Sequence, residues 1–322
     1  MSTIEKAAAR LVKKSKDNAA QVTEHAEEQT ETSNPGNNLH NVKSFDESAM
    51  SGIESVAQAP ASPPERAAPD QYHKSCELDF PWLEQHGFLV PNHNNPKQSQ
   101  EFRRIKRPLL LNMQDTVAKT HSHPTNIVFV TSALPGEGKT FVSLNLALSL
   151  AGELDKSVLL LDGDAAKGDL SRWMGIYGEQ GLVDLLRDGN AYGESSIIDT
   201  NVERLSVMPC GARVDNLDEL YASDLMSSLL DGMARRNPNR VIVVDGPPLL
   251  ATTEATVLAG LMGQTVVVVE ANKTPQSAVE RAVAHLDSAQ LVSILLNKTE
   301  GSESGFGYGY GYGYGYGHST AD

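Results

Sequence analysis

Long apolar runs are missing from this chain of 322 residues. No stretch approaches the ~18 apolar residues of a membrane span. The opening "MSTIEKAAARLVKKSK" also lacks the apolar centre of a secretory signal. Basic charge is scarce: 27 Lys and Arg face 41 Asp and Glu, a formal net charge of −14, which argues against a nucleic-acid partner. Only two cysteines occur, Cys76 and Cys210, far apart and at no metal-binding spacing, as expected in a reducing cytosol. A cytoplasmic protein is therefore expected, meeting a membrane only through a partner or a surface helix. Hydrophobic content is modest at 40%, so part of the chain is not expected to pack into a core.

Four regions separate by composition. Residues 1–75 read as a disordered tether, because the stretch around "SVAQAPASPPERAAPD" has too little apolar surface to offset the entropy of ordering. Within it, residues 2–16 carry a thin apolar stripe (Ile4, Leu11, Val12) that suits a short helix, either frayed or docking. Residues 76–125 hold an aromatic arm, "CELDFPWLEQHGFLVP", and the helical stretch "SQEFRRIKRPLLLNM". Residues 126–300 alternate short β-rich runs with helical ones. The strands read "NIVFVTS", "SVLLLDGD", "RLSVMPCG", "RVIVVDGPP", "TVVVVEA" and "LVSILLNKT". Continuously apolar strands between helices predict a doubly wound, mainly parallel α/β sheet covered on both faces. Residues 301–322 form a Gly/Tyr-rich tail.

The first of these strands runs into "ALPGEGKT", residues 133–140, and then an apolar helix, the setting of a phosphate-binding loop. Gly136 and Gly138 let backbone N–H groups turn towards an anion at a helix N-terminus. Gly136, Glu137, Gly138, Lys139, Thr140 and Phe141 form the expected nucleotide cradle. Lys139 reaches the phosphates and the Thr140 hydroxyl suits Mg²⁺. The strict loop pattern begins with Gly, where this chain has Ala133. Two further strands end in acids: Asp162 and Asp164 in "VLLLDGD", and Asp245 in "VIVVDGPP". Ligands of open α/β sheets bind beyond the carboxyl ends of the strands, so these acids are expected beside the phosphates. A strand-terminal Asp can also simply cap a turn, but three beside a phosphate loop predict an ATP–Mg²⁺ site with Thr140, Asp164 and Asp245 on the metal. Asp162 is left to orient or deprotonate an incoming hydroxyl.

"TSALPGEGKT", "VLLLDGDAAKGDL", "VIVVDGPP" and the C-terminal tyrosine cluster together resemble the bacterial tyrosine kinases. Within that family, the chain is similar to the exosortase-associated tyrosine autokinases of exopolysaccharide loci, including the "MSTIEKA" start. The resemblance spans roughly residues 100–317 and implies a core of the partitioning and septum-site P-loop ATPase type. It implies protein-tyrosine autokinase activity, with Lys139, Asp162 and Asp164 catalytic and Tyr308, Tyr310, Tyr312, Tyr314 and Tyr316 as acceptors. It also implies a ring-like homo-oligomer, an activating membrane-spanning chain-length determinant protein and a cognate phosphatase. Localisation then follows as cytoplasmic, recruited to the inner face of the plasma membrane through that partner.

Glu101, Arg104 and Arg107 match the family's Glu-x-x-Arg-x-x-Arg self-association motif; taken alone the run is an ordinary solvated charged face. Asn297 resembles the adenine-reading asparagine of related ATPases, although an Asn at a strand end is also a common turn residue. Two positions depart from the pattern. After Asp164 the family commonly has arginine where "AAKG" offers Lys167, and after Asp245 it has Thr or Ser where Gly246 stands. Two other readings compete. One is a positioning ATPase, whose signature lysine is replaced here by Leu134; the other is a nucleotide-dependent scaffold with a self-associating tail.

The tail itself, "GFGYGYGYGYGYGH", alternates glycine with five tyrosines and cannot build a core. Glycine on both sides leaves each tyrosine accessible. About twenty flexible residues reach roughly 25 Å, enough to enter an adjacent subunit's site.

Overall fold

The computed structural model describes residues 74–91, 95–114, 123–190, 193–287 and 290–299. The chain divides into two units, Met1–Lys74 and Ser75–Asp322, and all the elements below belong to the second. The helix expected over 2–16, the tether and the tail with its five tyrosines lie outside the described residues.

In chain order the elements are β1 (Ser75–Cys76), α1 (Phe80–Gln85), α2 (Pro96–Gln114), β2 (Ile127–Ser132), α3 (Lys139–Ala151) and β3 (Ser157–Asp162). Then come α4 (Asp169–Trp173), α5 (Leu182–Arg187), β4 (Ile198–Thr200), β5 (Leu205–Met208), α6 (Leu217–Tyr221) and α7 (Asp224–Arg236). The last are β6 (Arg240–Asp245), α8 (Thr253–Ala259), β7 (Gln264–Glu270), α9 (Gln276–Ala284) and β8 (Leu291–Asn297). The strands form one eight-stranded sheet in the order β1-β4-β5-β3-β6-β2-β7-β8. Every pairing is parallel except β4 with β5.

The apolar runs become central strands because both sheet faces are covered. Along β2, Val128 and Val130 point into one core while Ile127 and Phe129 point into the other. That alternation is the two-residue period of a strand, with each face finding its own helices. Parallel alignment then sends the C-terminal ends of β2, β3, β6, β7 and β8 to one edge of the sheet. Asp162 and Asp245 are direct cross-strand partners there, as are Glu270 and Asn297.

The helical stretch "LDELYASDLMSSLLDGMARR", which reads as one helix in the sequence, forms two. The stretch 217–236 breaks at Ser223, whose hydroxyl donates to the Leu220 carbonyl (2.7 Å) and accepts from the Met226 N–H (3.3 Å). A single serine thus closes α6 and caps α7, satisfying one orphan group at each helix end.

The arm holds to the sheet through backbone and side-chain bonds. Leu78 exchanges two hydrogen bonds with the Asn201 amide (3.0 and 3.1 Å), and the Leu89 N–H donates to Asn145 Oδ1 (2.7 Å). Helix α2 buries Phe102, Lys106 and Leu109 at i, i+4 and i+7, one helical stripe. Lys106 Nζ reaches the Ser149 carbonyl (2.6 Å) and Glu153 Oε1 (2.7 Å), tying this stripe to the C-terminal end of α3. Glu101, Arg104 and Arg107 are exposed.

Gly246 explains itself through packing. A Cβ at this position would fall inside the ring of Phe129, which is wholly buried. The space a side chain would take here is thus filled by a ring from the neighbouring strand. Gly246→Ser is expected to cost about 1–3 kcal/mol by overpacking. Thermal melting checks this, and adding Phe129→Val should return part of the loss.

Candidate active site

The phosphate loop joins β2 to α3, and its two inner glycines take left-handed conformations, φ 84° at Gly136 and φ 95° at Gly138. L-residues avoid that region, so glycine is needed for the turn. At Gly138 a side chain would also strike the Asn297 amide.

Loop carbonyls are taken up by surrounding side chains. Ser132 Oγ donates to the Leu134 carbonyl (2.8 Å), Lys298 Nζ to that of Gly136 (2.7 Å) and Asn297 Nδ2 to that of Glu137 (2.9 Å). The Glu137 carboxylate, buried, accepts from the N–H groups of Leu134 (2.6 Å) and Glu270 (3.3 Å) and from the Thr274 hydroxyl. With its carbonyls fixed in this way, the loop presents N–H groups for an anion.

Beyond the loop, one buried cluster gathers Lys139, Asp162, Asp164 and Asp245. Lys139 Nζ sits 2.8 Å from Asp164 Oδ2 and 3.5 Å from Thr140 Oγ1. Burial works against its charge, but Asp245 and Asp164 outweigh that and hold the ammonium above its ordinary value. Asp245 Oδ1 lies 2.8 Å from the Ser143 hydroxyl, which is also 2.9 Å from the Lys139 carbonyl. Burial pushes Asp245 up to about 6 against the pull of Lys139. Asp162 is gripped at both oxygens: Oδ2 accepts from the Ser171 N–H (2.9 Å) and hydroxyl (2.6 Å), and Oδ1 from the Asp164 N–H (3.2 Å). Burial, then the charge of Asp245, raises it to about 7 even so.

No protein-family model matches the chain. Among curated proteins, the tyrosine-protein kinase CpsD of Streptococcus agalactiae is 31% identical over 179 residues, which is 55% of this chain and 76% of that protein. The chain belongs to the bacterial tyrosine-protein kinases. The tyrosine-protein kinase ptk of Acinetobacter johnsonii is 32% identical over 183 residues, 56% of this chain, yet this chain spans only 24% of it. Among solved structures, the VpsO kinase domain matches with a TM-score of 0.52 and 30% identity, over 63% of this chain and 97% of that domain.

Several features of this bacterial tyrosine kinase were not predicted from its sequence. Ser143 follows Lys139 by four residues, so helical spacing alone would have placed both on one face of α3. Lys298 and the bonds of the Glu137 carboxylate to Glu270 and Thr274 carry no comparable signal, because those partners lie far away in sequence. Ser171 is only nine residues from Asp162, but that spacing follows no helical or strand period. Asn297 stands beside the nucleotide loop, and the bond that its amide makes is to the loop backbone. Lys167 is exposed.

The residues present suit Mg²⁺. Asp245 Oδ2 is buried without a hydrogen-bond partner among the described residues, and the Thr140 hydroxyl bears on the same carboxylate. Hard oxygen donors in small number match an ion that keeps several of its waters. No group of three or more metal-binding side chains forms among the described residues.

The raised Asp162 sets a pH dependence. Folding lifts it from 3.8 to about 7, so between those values the folded chain holds more protons than the unfolded one. Its contribution to stability therefore falls as pH rises through that window. Asp162→Asn removes the term. In metal-free buffer, the melting temperature of the variant relative to the parent should rise as pH is raised from about 5 to about 8.

Proposed function

We propose that this protein is an ATP-dependent protein-tyrosine autokinase that phosphorylates Tyr308, Tyr310, Tyr312, Tyr314 and Tyr316 on a neighbouring copy. The observation that carries the reading is the convergence of Lys139, Asp162, Asp164 and Asp245 beside a phosphate loop, in a chain that ends in alternating Gly and Tyr. Membership of the bacterial tyrosine kinases supports it.

Phosphoryl transfer depends on positioning and charge neutralisation. The loop, from Gly136 to Phe141, would cradle the phosphates of ATP. Lys139, held charged by its two aspartates, would turn from Asp164 to the transferring group. Thr140 and Asp245 would hold Mg²⁺, with Asp164 joining once its ion pair with Lys139 opens. When bound, the ion would neutralise charge on the phosphates. Asp162 would accept the tyrosine proton. A free tyrosine near ~10 and a carboxylate near ~7 differ by about three units, or about 4 kcal/mol, a modest step for a poised base. The grip of Ser171 keeps that carboxylate in one orientation.

Control of exopolysaccharide polymerisation and export follows from the resemblance to the exopolysaccharide-locus kinases. So do a membrane-spanning activator and a phosphatase. Among the described residues no helix is long and apolar enough to cross a membrane. Glu101, Arg104 and Arg107, exposed on α2, would bridge copies of the chain. Replacing all three by alanine should shift sedimentation to smaller species and slow tail phosphorylation while melting is unchanged.

The test is incubation of the purified full chain with Mg·ATP, following phosphotyrosine and released phosphate together. Phosphotyrosine formation supports the kinase. Hydrolysis with no phosphotyrosine, even with the activator supplied, would point to a positioning ATPase.

A further inference from the structure

Two large aromatic side chains are exposed at and just after the end of helix α4, Trp173 (40%) and Tyr177 (48%). Both are fixed from behind. Trp173 meets Phe88 edge-on with centroids 5.6 Å apart, and Phe88 in turn lies 5.0 Å from Phe141, the residue after Thr140. The Arg172 guanidinium stands 3.6 Å over the Tyr177 ring. That ring also comes close to Gly168, where φ is 63° and a Cβ would lie within 2.9 Å of it. The Gly168 N–H donates to the Asp164 carbonyl (2.7 Å). The short helix α4 that carries Trp173 also carries Ser171, the residue that grips Asp162. In a helix, residues two apart have Cα atoms about 5.4 Å from each other. The aromatic pair is therefore built on the segment that holds both Asp162 and Asp164.

We infer that Trp173 and Tyr177 form a shelf that docks the Gly/Tyr segment, residues 305–317, of a second copy of this chain. This deepens the autokinase reading and rests on it. The sequence of that segment matches the shelf in three respects. It contains no charged residue, so apolar and stacking contact must supply its affinity. Its tyrosines recur every second residue, so in an extended chain they fall on one side about 7 Å apart. With one hydroxyl at Asp162, the next rings along the same side come to lie over the neighbouring surface. Its glycines let those rings lie flat against another ring without a bulky neighbour. Rings already locked by Phe88, Arg172 and Gly168 lose little freedom on binding. The shelf thus selects a multi-tyrosine tail over an isolated tyrosine.

The test uses the full chain with Tyr308, Tyr310, Tyr312, Tyr314 and Tyr316 changed to Ser, so that its own tail does not compete. Trp173→Ala with Tyr177→Ala is compared with Trp173→Phe and with Tyr177→Phe in that background. The acceptors are a Gly-Tyr peptide of five tyrosines and a peptide of equal length with one. KM for the five-tyrosine peptide should rise about 10-fold in the double alanine variant. In that variant kcat, KM for ATP and KM for the one-tyrosine peptide should stay within about twofold, and the phenylalanine variants should keep the parent's values. Unchanged KM, equal loss for both peptides, or loss in the phenylalanine variants would each overturn the shelf. If no enzyme form phosphorylates either peptide, the kinase reading fails instead. Anisotropy with a labelled five-tyrosine peptide then still decides: weaker binding in the double alanine variant upholds the shelf, and equal binding overturns it.

Discussion

Lys139→Met is expected to abolish tail phosphorylation, with kcat falling by about 10³-fold or more. Methionine keeps most of the length and volume of the side chain and removes its charge. The loss would then be electrostatic: no cation remains to meet the transferring group, and Asp164 and Asp245 face it unneutralised. Stability also changes, because breaking a buried pair by removing one partner costs about 3–5 kcal/mol. Asp164 would be the residue left unpaired, since its Oδ2 now sits 2.8 Å from Lys139 Nζ. The double variant Lys139→Met/Asp164→Leu should recover most of the melting temperature and none of the activity. Recovery of phosphotyrosine in either variant would take Lys139 out of the mechanism.

Changing Tyr308, Tyr310, Tyr312, Tyr314 and Tyr316 to phenylalanine has the second large effect. Incorporated phosphate should drop from as many as five per chain to near background, while ATP binding and melting stay as in the parent. Removing the hydroxyl deletes only the acceptor, since phenylalanine keeps the ring and the alternation with glycine. The consequence for assembly is electrostatic. Each phosphate adds about −1.5 to −2 charges, so five place up to about −10 on one tail. That adds to a chain already at −14. Repulsion between tails brought together in an oligomer would loosen it. Phosphorylated parent should therefore sediment as smaller species than unmodified parent, and the phenylalanine variant should not respond to ATP. Identical sedimentation of the two parent forms would remove tail charge as the device that opens the assembly.

Much of the fold was legible because it is written in local pattern. Six apolar runs became β2, β3, β5, β6, β7 and β8, and the acids that end "VLLLDGD" and "VIVVDGPP" meet as cross-strand neighbours. Parallel order makes strand ends converge, so a motif at the end of one strand predicts company from the next. β1 and β4 gave no such signal, since strands of two and three residues are too short to show a period. The break at Ser223 was hidden for a different reason: apolar spacing runs on through 217–236, and one hydroxyl serving both helix ends decides the matter. Contacts across the sheet were the least legible. Nothing near Gly246 announces that Phe129 fills its space, and nothing near Lys298 announces a bond to the Gly136 carbonyl 162 residues away. Such pairs arise only when the topology brings distant strands together, which sequence spacing does not encode. The grip of Ser171 on Asp162 spans only nine residues, but it crosses the turn between β3 and α4, where no regular period predicts a contact.

The central claim is that one chain carries both the phosphoryl-transfer site and its substrate. Intact-mass analysis of the purified full chain after incubation with Mg·ATP, followed by peptide mapping, tests it most directly. The account predicts a ladder of up to five added phosphates, all within residues 308–316 and absent from Lys139→Met. An unmodified tail in the presence of its activating partner, with ATP consumed, would contradict it.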